Sequence, residues 1–383
     1  MGRSSIVTLL LGIAACGLGV WLFLEVEAQW AVVAVAGAVA LALFLADRLG
    51  LRARFEAAAS TRRSLASALG VLAVLIVALV LHESHFALLM LATVALYATV
   101  CLGLTVQFGF AGIANFAGAA FFGIGCYATA VLATQTALPH LLVIFLAGIA
   151  SALIGSVLIL PMLRTRGHYA ALITIAFGIL FKTFLEVNDA LGGPQGLKVP
   201  GLKILGWSFN DPLHLPWGIE ASFYLNYVLV AVLLAAAAFM VVKRVESSWI
   251  GLNFDAVRLD ETAAAVSGID IARWKITAFV FGNFLAGMAG AVYAMMSGFI
   301  APNSFTFGDS LILVSIVILG GLGNPLGVLP AALLLLVLPE KLQAIQEYRF
   351  LLYALLVILI LLFRPQGLMP RRLRSYFSRG ARA

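Results

Sequence analysis

Charge is what this sequence has least of. Only 11% of its 383 residues are Asp, Glu, Lys or Arg, while 63% are hydrophobic; soluble domains carry about 25% charged residues. A chain so composed cannot hide its apolar surface in a water-facing fold, so a soluble enzyme or nucleic-acid module is excluded despite a net charge of +7. Cysteine is scarce too. Cys16, Cys101 and Cys126 all lie in apolar runs, without the close pairing that a zinc site or a disulfide framework requires. Catalytic constellations are missing: there is no His-Glu-x-x-His, paired-carboxylate set or Ser/His/Asp arrangement in a fitting context. The dipeptide Gly-Lys of a phosphate loop occurs nowhere, so the glycine turn Gly320-Gly321-Leu322-Gly323-Asn324-Pro325 has no nucleotide chemistry. The chain reads as a non-enzymatic, all-α polytopic membrane protein with no metal site and no cofactor of its own.

What is present is a succession of apolar runs, at 6–24, 30–46, 65–81, 86–104, 140–163, 169–187, 223–242, 276–298 and 350–363. The tetrapeptide Ile13-Ala14-Ala15-Cys16 resembles a lipoprotein cleavage site, but the first run is read as a retained membrane helix. Basic residues gather in a few connections: Arg48, Arg52, Arg54, Arg62 and Arg63 in one, Arg164 and Arg166 in another, and Arg364 through Arg382 at the C-terminal end. Excess Lys and Arg mark cytoplasmic loops. The alternation then predicts about ten to twelve membrane helices with both termini cytoplasmic. His82 and His85 beside Glu83 read as a solvated turn, and Lys182 and Glu186, at i and i+4, as a structural ion pair.

Four stretches differ from simple spans. Residues 104–130 hold Gly109, Gly112, Gly118, Gly123 and Gly125 among aromatics, with Gln107 and Asn115 at membrane depth. Glycine interruptions suit a broken or re-entrant helix, and buried amides need partners or a wet path. Gln107 and Asn115 are therefore candidates for the translocation pathway or its gate, and Phe116 and Phe121 in the same stretch complete the pathway set for a transporter. In 276–298, Gly282, Ala286 and Gly290 form a small-xxx-small face, with Asn283 beside them, that predicts close helix packing. The arms 307–319 and 328–338 are short for a crossing of about 20 residues, which leaves either a tilted helix pair or a re-entrant hairpin. Finally, the polar connection 243–275 predicts a helix over 256–266, with Asp255 before it and Gly268 after it as punctuation; an ordinary connecting loop fits that composition as well.

Several of these stretches together resemble one family. Residues 109–127, TIAFGILFKTFLEVNDALGGPQG at 174–196, RLDETAAAVSG at 258–268, GGLGNPLG at 320–327 and FRPQGL at 363–368 are similar to the LivM-like permease subunits of branched-chain amino acid ABC importers. The likeness runs from 87 to 368. It implies extra N-terminal helices and a basic loop over 1–64, a permease core over 65–368 with an external loop at 188–222 and a cytoplasmic coupling loop at 243–275, and a basic tail over 369–383. By the same resemblance, Arg258, Asp260, Glu261, Ala263, Ala264 and Gly268 couple to ATPase subunits, with Ala263-Ala264 in closest contact and the charges setting register. Leu252, Asn253 and Asp255 depart from a pattern that is usually richer in arginine. Gly192, Gly193, Pro194 and Gln195 are the candidate docking loop for a periplasmic or extracellular binding protein. The implied partners are a second permease, two ATPases that hold ATP and Mg, the binding protein and membrane lipid, in a bacterial inner membrane. Urea, amides and aromatic acids remain alternative substrates, and an ion-coupled secondary transporter is the alternative class.

Overall fold

The computed structural model describes residues 2–26, 63–165, 169–204, 206–211, 213–215 and 219–342, scattered positions at 28–42 and 348–362, and residues 367–369 and 371. The apolar runs at 30–46 and 350–363, the basic connection between 47 and 62, and tail positions 372–383 lie wholly or in greater part outside the described residues.

Among the described residues, ten helices form the bundle: α1 (Gly2–Glu25), α2 (Arg63–Val80), α3 (His85–Leu104), α4 (Gly118–Gln135), α5 (His140–Leu163), α6 (Tyr169–Val187) and α7 (Tyr224–Glu246), then, beyond two short surface helices, α10 (Ile271–Ser297), α11 (Phe307–Gly320) and α12 (Pro325–Lys341). The surface helices are α8 (Trp249–Leu259) and α9 (Glu261–Val266). Among the described residues, 8 helices are long and apolar enough to cross a membrane, so the chain is a multi-pass membrane protein. From α2 onward the successive helices of the bundle alternate in direction, whereas α1 and α2 both end at the same face. One end of the bundle, the near face, carries α8, α9 and the α11–α12 turn; the opposite, far face carries residues 188–222.

Helix α10 is the mast of the bundle, packing along α5, α4 and α3. Its small residues set the spacing. A Cβ on Gly103 would lie 2.5 Å from the Gly282 carbonyl oxygen, one on Gly290 2.1 Å from that of Phe122, and one on Gly125 2.1 Å from that of Gly287. Lipid is as apolar as the side chains, so such helices associate by close backbone approach and hydrogen bonds rather than by burial from water. The expected Gly282/Ala286/Gly290 face is thus in use, and Gly287 adds a second contact, against Ser151 of α5.

The glycine-rich stretch is a broken helix, as expected. After α3 the chain widens into a π-type turn, Thr105–Phe110, in which Ala111 N–H donates to the Val106 carbonyl at 3.0 Å. Residues 111–117 belong to no helix, and α4 begins at Gly118. The short arms are longer than the sequence suggested, 14 residues in α11 and 17 in α12. They form a pair of crossing helices, not a re-entrant loop, because α12 ends beside the far end of α1, where Lys341 Nζ donates to the Leu24 and Val26 carbonyls at 2.5 and 2.8 Å.

The far-face loop is more regular than its Pro and Gly content suggests. Its described residues form three antiparallel strand pairs: β1 (Leu197–Lys198) with β6 (Phe299–Ile300), β2 (Lys203–Ile204) with β3 (Trp207–Ser208), and β4 (Leu213–Leu215) with β5 (Ile219–Ala221). The Tyr227 hydroxyl anchors it, accepting from Leu202 N–H at 3.0 Å and lying 2.7 Å from Asn210 Oδ1. The Lys182–Glu186 pair closes at 3.2 Å.

Candidate functional site

Three amides meet at the helix break. Gln107 on the π-type turn donates through Nε2 to the Phe279 carbonyl at 2.9 Å and to Asn283 Oδ1 at 3.1 Å. Asn115, in the non-helical stretch, donates to Gln107 Oε1 at 2.8 Å and to Asn283 Oδ1 at 3.2 Å, and its own Oδ1 accepts from Ala117 N–H at 2.9 Å. All three side chains are buried. Their partners are one another and the backbone, which is how an apolar bundle tolerates polar groups. Asn283 Nδ2 is buried with no hydrogen-bond partner, against Gly155 of α5. The node therefore joins α3, the break and α10 without any charge.

Aromatic rings wall the node. Phe121 stacks on Phe177, centroids 5.3 Å apart, and meets Phe279 edge-on at 5.7 Å. Phe116 meets Phe108 edge-on at 5.7 Å, and its N–H donates to Thr174 Oγ1 at 3.1 Å, tying the break to α6. Of the four pathway candidates, Gln107, Asn115 and Phe121 are enclosed and only Phe116 is half-buried. The structure brings the four together around a sealed polar node. Asn283 is the member that the sequence reading set beside the packing face and left out of the pathway, although an amide inside a glycine-lined helix was its signal.

At the near face, the single helix expected over 256–266 is two. Helix α8 starts at Ser248, whose Oγ accepts from Ile250 N–H at 3.2 Å, and the break falls at Asp260. Its Oδ1 accepts from Thr262 and Ala263 N–H at 2.8 and 3.0 Å, capping α9. Asp255 is not punctuation before a helix: it lies inside α8, buried, and pairs with Arg371 at 2.7 Å. Helix α9 closes in a Schellman motif, with Ile269 N–H to the Ala264 carbonyl, Gly268 N–H to that of Ala265, and Gly268 at φ +81°.

The other coupling candidates divide by where they point. Ala263 is exposed, but Ala264 is turned into the chain at 3% exposure, so the expected Ala263-Ala264 contact surface reduces to Ala263. Glu261 pairs with Lys275 at 2.6 Å, holding α9 to the first turn of α10. The Arg258 stem lies against Gly112 in the break, and its Nε is buried without a partner. Burial and the neighbouring Arg371 pull its pKa down while Asp255 pushes it up, and a guanidinium keeps its charge throughout. Beneath α8, Trp274 is held edge-on by Trp249 at 5.4 Å and Phe254 at 5.5 Å. Leu259 and Val266 stand 66% and 86% exposed among these polar groups.

On the far face, Gly193, Pro194 and Gln195 form the second of two successive 3-10 turns, Asp189–Leu191 and Gly193–Gln195, and Gly192 joins the two at φ +81°. Pro194 and Gln195 are exposed, Gly192 is half-buried and Gly193 is buried. The turn is fixed because Gly196 packs against the α10–α11 connection; a Cβ there would lie 2.1 Å from the Ile300 carbonyl oxygen.

Comparison with known proteins matches this architecture to one family model, described as "Branched-chain amino acid transport system / permease component", over residues 86–363. The chain belongs to that family. The permease family includes the high-affinity branched-chain amino acid transport system permease protein LivM of Salmonella typhimurium and of Escherichia coli K12; each is 35% identical over 263 residues, 65% of this chain. The chain spans 62% of the length of each of these two relatives. A probable branched-chain amino acid transport permease protein LivM of Methanocaldococcus jannaschii is 25% identical over 283 residues, 66% of this chain and 78% of that protein. No solved structure matches the chain.

Proposed function

We propose that this chain is one of two related permease subunits of an ABC importer in a bacterial inner membrane, passing branched-chain amino acids received from a binding protein and driven by two ATPase subunits. The near face is then cytoplasmic. The observation that carries this reading is the contact between Arg258 of α8 and Gly112 of the helix break: a surface connection bearing exposed apolar residues reaches directly to the discontinuity in the bundle. A partner pressing on α8 and α9 has a short route to the amide node. The sequence carries no Gly-Lys phosphate-loop signature, so in this reading ATP and Mg are held by the partners, and the driving force is the difference between their contacts in two states.

The node is built from amides and aromatics without charge, which suits a zwitterion with an apolar side chain. Urea is the second reading, favoured by the same amide-only chemistry. An ion-coupled transporter would be expected to place a carboxylate or an ammonium at this depth, and the node holds neither. Affinity purification in mild detergent tests the assembly: a second permease and two ATPases should come with the tagged chain and hydrolyse ATP. Ala263→Trp with Val266→Asp should abolish both. Uptake of labelled leucine into proteoliposomes, competed with isoleucine, valine or urea, then decides the substrate. A chain that purifies alone and transports without ATP would defeat the reading.

A further inference from the structure

Beyond α12, residues 367–369 and Arg371 lie at the near face and seat across three elements at once. Leu368 and Met369 N–H donate to the Leu319 and Gly320 carbonyls at 2.8 and 3.1 Å, and Asn324 Nδ2 donates to the Met369 carbonyl at 3.1 Å, so the strap grips the α11–α12 turn. The seat exists because side chains are missing. A Cβ on Gly367 would lie 2.6 Å from Gly321 Cα, one on Gly109 2.2 Å from Gly323 Cα, and one on Gly323 2.6 Å from Arg371 Cδ. This gives the glycine turn a physical purpose that its phosphate-loop likeness does not.

Arg371 fills the centre. Its two terminal nitrogens bind the two Asp255 oxygens at 2.7 and 3.1 Å, with the side chains 8% and 7% exposed. Nη1 also donates to the Gly109 carbonyl at 3.2 Å, the guanidinium lies 4.5 Å over the Phe110 ring, and Nε is 4.0 Å from Glu246 Oε1. One planar group therefore holds α8 through Asp255 and the π-type turn through Gly109 and Phe110, two residues from Gln107. A bidentate pair fixes direction as well as distance. We propose that Arg371 is a positioning residue that bolts the α8–α9 connection to the helix break, so that displacement of the surface helices moves the amide node.

This rests on the reading that a nucleotide-driven partner presses on α8 and α9, and the test separates the two. In a Cys16→Ala background, Phe116→Cys reports on the break through its labelling rate with a membrane-impermeant maleimide; Cys101 and Cys126 are buried. The complex is purified from its own membranes, and ATP hydrolysis is measured on the same sample. With Arg371 in place, ATP and Mg should change the labelling rate roughly fivefold or more, the lower end of coupling between sites. Arg371→Gln should erase that change while hydrolysis continues, Arg371→Lys should fall between, and adding Asp255→Asn to Arg371→Gln should cost nothing further. The bolt is overturned if Arg371→Gln keeps the full response, if the reporter never responds while ATP is hydrolysed, or if both Arg371 variants lose assembly and hydrolysis in parallel. If no ATPase co-purifies with the parent chain, the function proposed above fails first and the bolt falls with it.

Discussion

Gln107 is bonded at both ends of its amide, and that decides what each neighbour is worth. Its Nε2 serves the Phe279 carbonyl and Asn283, and its Oε1 accepts from Asn115. Gln107→Leu and Asn115→Leu should each destabilise the detergent-solubilised protein by about 1 kcal/mol. The double variant should cost less than the sum, because the second change removes a bond already lost; additive thermal shifts would dissolve the node into independent contacts. Gly282→Ala is a harsher probe, since its Cβ would lie 2.4 Å from Gln107 Nε2 and 2.8 Å from the Gly103 carbonyl oxygen. Overpacking of this kind costs about 1–3 kcal/mol, read as a fall in unfolding temperature, while Ala286 shows that a methyl is accommodated one turn on. The need for partners at Gln107 and Asn115 was legible from the sequence, because an amide in an apolar run is conspicuous. Which amide would answer was not. Asn283 lies 168 residues from Asn115, and no periodicity links them.

At the scale of elements, α9 is too short to stand alone. Helices under about 12 residues are marginal in water, so its 6 residues depend on the caps at each end. Asp260→Ala should raise amide exchange across residues 261–268 and cost about 1 kcal/mol of local stability, while Asp260→Asn, which keeps the accepting oxygen, should leave exchange near the parent rate. If Ala and Asn behave alike, the cap is not what holds the helix. The sequence read these residues as one helix because alanines dominate 256–266. The aspartate that splits them carries the same charge whether it caps a new helix or faces a partner, and only backbone geometry tells the two apart. The α10 stripe was readable for the opposite reason: small residues at i, i+4 and i+8 have few uses other than close packing.

For the molecule as a whole, hydropathy marks most of the apolar runs that become helices, but the ties between distant segments come from single polar side chains. Lys341 is such a tie. It is buried at the far end of α12, with its ammonium on the last carbonyls of α1 and 5.9 Å from the Phe86 ring centroid. Lys341→Met should speed amide exchange at residues 22–26 several-fold and leave the α3–α5–α10 core unchanged, since local opening follows local bonds. Equal protection in parent and variant would mean that α1 is held by its apolar contact with α2 alone. None of this was visible in the sequence, where Lys341 is one basic residue after an apolar run and Arg371 one arginine among several in a tail.

The strap also sets an order of events. Chains leave the ribosome N-terminal end first, and Arg371 follows Gly109 by 262 residues and Asp255 by 116. The buried carboxylate of Asp255 and the carbonyl of Gly109 are therefore both made well before the cation that joins them. Until it arrives, the strap cannot close on the α11–α12 turn, so the joint between α8 and the helix break is among the last contacts of the chain to form.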